Sequence, residues 1–213
     1  MQKLNLDEII GCLDQVAKIL HDQPDKALAR LREISKTVDD QIPYYDGHMR
    51  RVTEYSMLMG NKLGLPDNDL VTLEAAGLLH DFGKIGIDEV LLLKTVKLSP
   101  EERIEIQHHV IKGFHILSGF DEFGEILTGI RHHHEYWDGS GYPGGLTGEN
   151  ISLIGRIIAI ADSYDAMTSE RPYRKAKIKD YAINELKKNA GKQFDPKLVE
   201  IFIEVLKTNE LQQ

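Results

Sequence analysis

Cysteine is almost missing from this sequence. Cys12 stands alone, so no internal disulfide can form and no thiolate cluster can hold zinc. That usage fits a reducing compartment. Long apolar runs are missing too: the longest, such as Ala75 to Leu79 and Ile157 to Ala161, fall far short of the ~20 residues that cross a bilayer. The opening Met1-Gln2-Lys3-Leu4-Asn5 leads into an acidic amphipathic pattern without the apolar core and cleavage site of a secretory signal. The expectation is therefore a cytoplasmic protein with no membrane partner. Basic excess is absent as well, since 26 Lys and Arg against 34 Asp and Glu give a net charge of -8 and a pI near 5.6. A surface built to coat long nucleic acid is thereby excluded, while a small anionic ligand needs only a few local cations. Neither low-complexity tracts nor runs of like charge occur. With 41% hydrophobic and 28% charged residues over 213 positions, the chain has the composition of one globular domain with a modest extension.

What is present is helical period. Leu6, Ile9, Ile10, Leu13, Val16, Ala17 and Leu20 recur at three and four, with Asn5 and Glu8 spaced as a capping box. Pro24 suits a first helical turn, and Leu28, Leu31, Ile34 and Val38 mark a second helix ending near Asp39-Asp40. Residues 1–40 thus read as a helical hairpin extension that either packs on the main domain or serves a homodimer or signalling partner. From 41 to 213 the period stays helical and no strand alternation persists, so the fold class is all-α, a helical bundle. Cys12, among apolar neighbours, reads as a small core residue. The one strongly irregular stretch is Asp138 to Asn150, a loop carrying five glycines and Pro143.

Nine histidines set the chemistry. His80-Asp81-Phe82-Gly83-Lys84 follows the small apolar stretch Ala75 to Leu79. Adjacent residues on a helix project about 100° apart, so His80 can bind one metal while Asp81 bridges to a second. Gly83 reads as the end of that helix, turning Lys84 toward the site. His48, His109, His133, His134 and Asp162 also fall on apolar faces or helix ends, where an unpaired polar group is costly. Metal ligation accounts for them together. Seven imidazole and carboxylate ligands suffice for two octahedral divalent ions with open positions, a set that suits Fe or Mn better than tetrahedral zinc.

These motifs resemble the HD-GYP family of HD-domain metal phosphohydrolases, which cleave cyclic di-GMP. The His-Asp-x-Gly-Lys element is His80 to Lys84; the long signature runs from His133-His134-Glu135 through Asp138-Gly139 to Gly141-Tyr142-Pro143. Ala161 to Ser169, Arg171-Pro172-Tyr173-Arg174 and Gly191, Phe194, Asp195 and Pro196 complete the likeness, over roughly Tyr44 to Val205. The resemblance implies in-line hydrolysis of a cyclic dinucleotide at a two-metal centre, giving pGpG and then GMP. It implies that Lys84 grips a phosphate oxygen or positions the attacking water. Arg171 and Arg174 suit phosphate forks. For Gly141 and Tyr142 the expectation is substrate contact, with the glycine permitting close backbone approach and the tyrosine stacking on a guanine, over a purely structural turn. Asp165 either orients a ligand or Lys84, or touches substrate. Where trinuclear relatives carry a glutamate, four residues before His48, this chain has Tyr44, which implies two ions and not three. Two other readings stay open: a mixed purine cyclic dinucleotide as substrate, and a signalling module that binds cyclic di-GMP or a partner protein with little turnover.

Overall fold

A computed structural model describes residues 6–41, 47–170 and 175–210. Asn5, Tyr44, Arg171 and Arg174 lie outside the described residues. Eleven α-helices occur among those described: α1 (Leu6–Ala17), α2 (Pro24–Gln41), α3 (His48–Leu63), α4 (Asp67–Leu79), α5 (Glu89–Leu92), α6 (Pro100–Gln107), α7 (His109–Leu117), α8 (Gly124–His132), α9 (Leu153–Thr168), α10 (Lys179–Lys188) and α11 (Pro196–Glu210). Two isolated backbone bridges, Asp138 with Thr147 and Ala190 with Phe194, are the β pairings among the described residues. The all-α expectation holds.

The hairpin forms because α1 and α2 each carry one apolar stripe. Ile9, Leu13 and Val16 face Ala27, Leu31, Ile34 and Val38, all buried. These side chains belong to the same continuous core as Met49, Leu73, Leu79 and Phe202, because α2 also packs on α3 and α4. Cys12 departs from its expected core position. It sits at the flank of the α1 stripe, is exposed, and lines a surface groove with Gln15 and Arg30.

Four helices frame the centre: α3 packs on α4 and α9, and α8 packs on α4 and α9. Helix α4 ends at Leu79, earlier than Gly83 suggested, and a 3-10 turn covers Phe82–Gly86. Gly83 is there for space. A Cβ on it would lie 1.9 Å from the carbonyl oxygen of His109 and 2.5 Å from the nitrogen of Gly113. The turn and α7 are thus in backbone contact, which brings His109 beside Asp81.

Candidate metal centre

Helix ends deliver the ligands. His80 and His133 are the residues that close α4 and α8, His109 follows the end of α6, and His48 starts α3. At each of the first three, ring Nδ1 donates to the carbonyl three residues back: His80 to Gly77 at 2.8 Å, His109 to Ile106 at 2.7 Å and His133 to Ile130 at 2.6 Å. His48 Nδ1 is held instead by Asp165 Oδ2 at 2.7 Å. With Nδ1 so engaged, each ring presents Nε2 to the interior.

Those Nε2 atoms converge on Asp81. Its Oδ2 lies 3.5 Å from His48 and 3.6 Å from His80, while its Oδ1 lies 3.2 Å from His109 and 4.0 Å from His133. His48 Nε2 is also 3.3 Å from Asp162 Oδ1. The seven sequence-predicted ligands therefore fall into two groups, His48–His80–Asp162 and Asp81–His109–His133–His134, each with its donor atoms within 4.8 Å of one another. Asp81 turns one oxygen toward each group. His80 Nε2 is buried and has no hydrogen-bond partner among the described residues. A buried, unpartnered imidazole lone pair among carboxylates and further imidazoles fits a divalent metal ion.

Electrostatics agree with that fit. Burial keeps His80 and His133 below the usual histidine range and brings His134 down to about 3, so these rings are neutral ligands at neutral pH. His48 goes the other way. Burial opposes its charge, but the hydrogen bonds it donates to Asp162, Asp165 and Asp81 outweigh burial and raise it to about 10. Asp81 and Asp162 are held below the carboxylate range despite burial, by Lys84 for the first and by His48 for the second. The proton on His48 balances their charge, a task that a cation between the same groups performs equally well.

Around this centre, Lys84 Nζ donates to Asp81 Oδ2 at 2.5 Å and is mostly buried. Asp165 accepts from His48, from Arg51 Nε at 2.5 Å and from Ser169 at 3.0 Å. Its contact with the centre thus runs through His48, the first of the arrangements the sequence left open. The Tyr142 ring stacks on His134 with centroids 4.9 Å apart, and burial keeps its phenol protonated. Gly141 allows this: a Cβ would lie 2.2 Å from Tyr136 N and 2.6 Å from His134 O.

Glu135 lies within the signature, but the sequence assigns it no task. It is 3% exposed, and its two oxygens accept from the backbone N–H groups of Gly144, at 2.5 Å, and Leu146, at 3.0 Å. One side chain thus ties the glycine loop down beside His134. Glu135→Gln keeps the shape but turns an amide NH2 toward one of two N–H groups. Hydrogen exchange at Gly144 and Leu146 should then accelerate roughly 10-fold or more, with metal content retained. Unchanged protection at both amides would refute that clamp. A second pair, Arg156 with Asp195 at 2.6 Å, links α9 to the start of α11, and the Arg156 guanidinium lies over Trp137 under the loop. His21, His108 and His115 are exposed, and His132 accepts from Ser152 N, away from the centre.

The HD domain family matches residues 16–198 of this chain. The cyclic di-GMP phosphodiesterase response regulator RpfG of Xanthomonas campestris pv. campestris is 38% identical over 182 residues, covering 82% of this chain and 48% of that protein. The 3'3'-cGAMP-specific phosphodiesterase 3 of Vibrio cholerae is 40% identical over 161 residues, covering 76% of this chain and 35% of that protein. The chain spans half or less of the length of these curated relatives. A solved structure of an HDG"Y"P protein from Bdellovibrio bacteriovorus matches with a TM-score of 0.63 at 18% identity, over 93% of this chain and 70% of that one, a likeness of fold. No helix among the described residues is long and apolar enough to cross a membrane. With the His80-Asp81 pair at the heart of seven candidate ligands, and with Gly141-Tyr142-Pro143 folded against His134, the chain belongs to the HD domain family, in its HD-GYP branch.

Proposed function

We propose that this chain hydrolyses cyclic di-GMP, first to pGpG and then to GMP, at a centre of two divalent ions, Fe or Mn. The observation that carries the reading is the division of seven ligands into two facing groups joined by the two oxygens of Asp81. One ion would be held by His48, His80 and Asp162, the other by His109, His133 and His134, with Asp81 available to both. When bound, such a pair of ions supplies Lewis acidity toward a phosphoryl oxygen and eases proton loss from water. The protein's own side chains do the rest. Lys84, one hydrogen bond from Asp81, would meet a non-bridging phosphate oxygen and offset the charge that grows in the transition state. By the family resemblance, Arg171 and Arg174 would add phosphate contacts. Tyr142 gives a guanine a flat surface, its position fixed by Gly141 and the Glu135 clamp.

Relatives bearing two substrate names support a cyclic dinucleotide and frame the choice between them. RpfG is named for cyclic di-GMP; the Vibrio cholerae relative is named for 3'3'-cGAMP. Turnover of cyclic di-GMP and of its mixed purine analogue on metal-reconstituted protein tests the reading. Faster hydrolysis of cyclic di-GMP is expected. A preference for the mixed dinucleotide would move the substrate assignment, and binding of either without hydrolysis would make the chain a signalling module.

A further inference from the structure

Helix α3 begins without a capping side chain of its own. Gly47, left-handed at φ 74°, offers no side-chain oxygen to the first-turn N–H groups. The acceptor comes from the hairpin: Asp39 Oδ2, near the end of α2, takes the N–H of Met49 at 3.2 Å. Asp39 is 3% exposed, and its Oδ1 has no hydrogen-bond partner among the described residues. Burial lifts its carboxyl to about 7 even though His48 pulls the other way. A buried carboxylate with an unpartnered oxygen is a cost to the fold. What it holds is the residue adjoining His48, whose Nε2 must sit between Asp81 and Asp162.

We infer that Asp39 is a positioning residue through which the hairpin sets one half of the metal centre. It fixes the first turn of α3 and hence the His48–His80–Asp162 group, while the His109–His133–His134 group is built on α6, α7 and α8, which Asp39 does not hold. The hairpin is by this route coupled to metal occupancy, and a partner that displaced α2 would release one ion before the other. The inference rests on the two-ion reading given above.

The test titrates Mn(II) by calorimetry into the metal-free full chain, native and as Asp39→Ala and Asp39→Asn. His80→Ala serves as the reference for a chain weakened in the His48 half alone. Native protein should bind two ions. Asp39→Ala should bind one of them roughly 10-fold more weakly, as when a group that orients a ligand is lost. The other ion should match the site that survives in His80→Ala. Asp39→Asn, which keeps an oxygen for the Met49 N–H, should stay close to native. The metal-free melting temperature of Asp39→Ala should remain within about 4 °C of native. Native affinity at both sites in Asp39→Ala would overturn the inference, and so would equal weakening of both or early melting, which mark general damage. A native chain that binds fewer than two ions would remove the two-ion reading itself, and this inference with it.

Discussion

Asp81→Ala is expected to lose both ions together, and turnover should fall by more than about 10³-fold, equivalent to ~4 kcal/mol of lost transition-state stabilisation. Every other candidate ligand belongs to one group, so its loss leaves the opposite group complete. Asp81 alone turns an oxygen to each: Oδ2 toward His48 and His80, Oδ1 toward His109 and His133. Removing it also strips Lys84 of its carboxylate partner and leaves His48 with less negative charge to favour its proton. Elemental analysis per chain alongside turnover separates the cases. His80→Ala should retain one ion and Asp81→Ala none at stoichiometric occupancy; two full ions in Asp81→Ala would sink the shared-ligand assignment.

Gly83→Ala should be the most damaging of the glycine-to-alanine changes. The added carbon would meet the backbone of His109 at 1.9 Å and of Gly113 at 2.5 Å, and backbone has no rotamer by which to yield. The 3-10 turn and α7 must separate, at an expected loss of about 3 kcal/mol or more of stability. Because α7 starts at His109 and the turn carries Lys84, the fault spreads to the centre. Urea unfolding of the metal-free protein reads the first effect and metal affinity of the His109 group the second. A native unfolding midpoint would show that the two segments are not in contact as described.

Much of this molecule is legible in its sequence. The stripes of α1 and α2 declare themselves because each helix buries one face, so Ile9, Leu13, Leu31 and Val38 repeat at helical spacing. The candidate ligands stand out because an imidazole or carboxylate on an apolar face is costly unless something binds it. Their partition does not, since it depends on bringing α9 against α3: His48 and Asp165 meet across 117 residues of sequence. Gly83 misleads for a related reason. A glycine after a helical run suggests a left-handed cap, and only the approach of α7 shows that the constraint is space. Glu135 gives no signal because its partners are backbone N–H groups, which every residue but proline owns. Cys12 misleads because periodicity marks a stripe but not its edges.

The manner in which α4, α6 and α8 end carries one more consequence. Each finishes with a carbonyl bonded to a ligand histidine, at Gly77, Ile106 and Ile130. Three helix C-termini therefore meet at the centre, each bringing the equivalent of about half a negative charge, while the N-termini of α3 and α7, at His48 and His109, bring the opposite. The balance of the backbone there is thus slightly negative, three C-termini against two N-termini, before any carboxylate is counted. Such a field draws in cations and repels a nucleotide's phosphates. On the two-ion reading proposed above, metal is then expected to enter first, and an anionic substrate to follow onto a surface whose sign the metal has reversed.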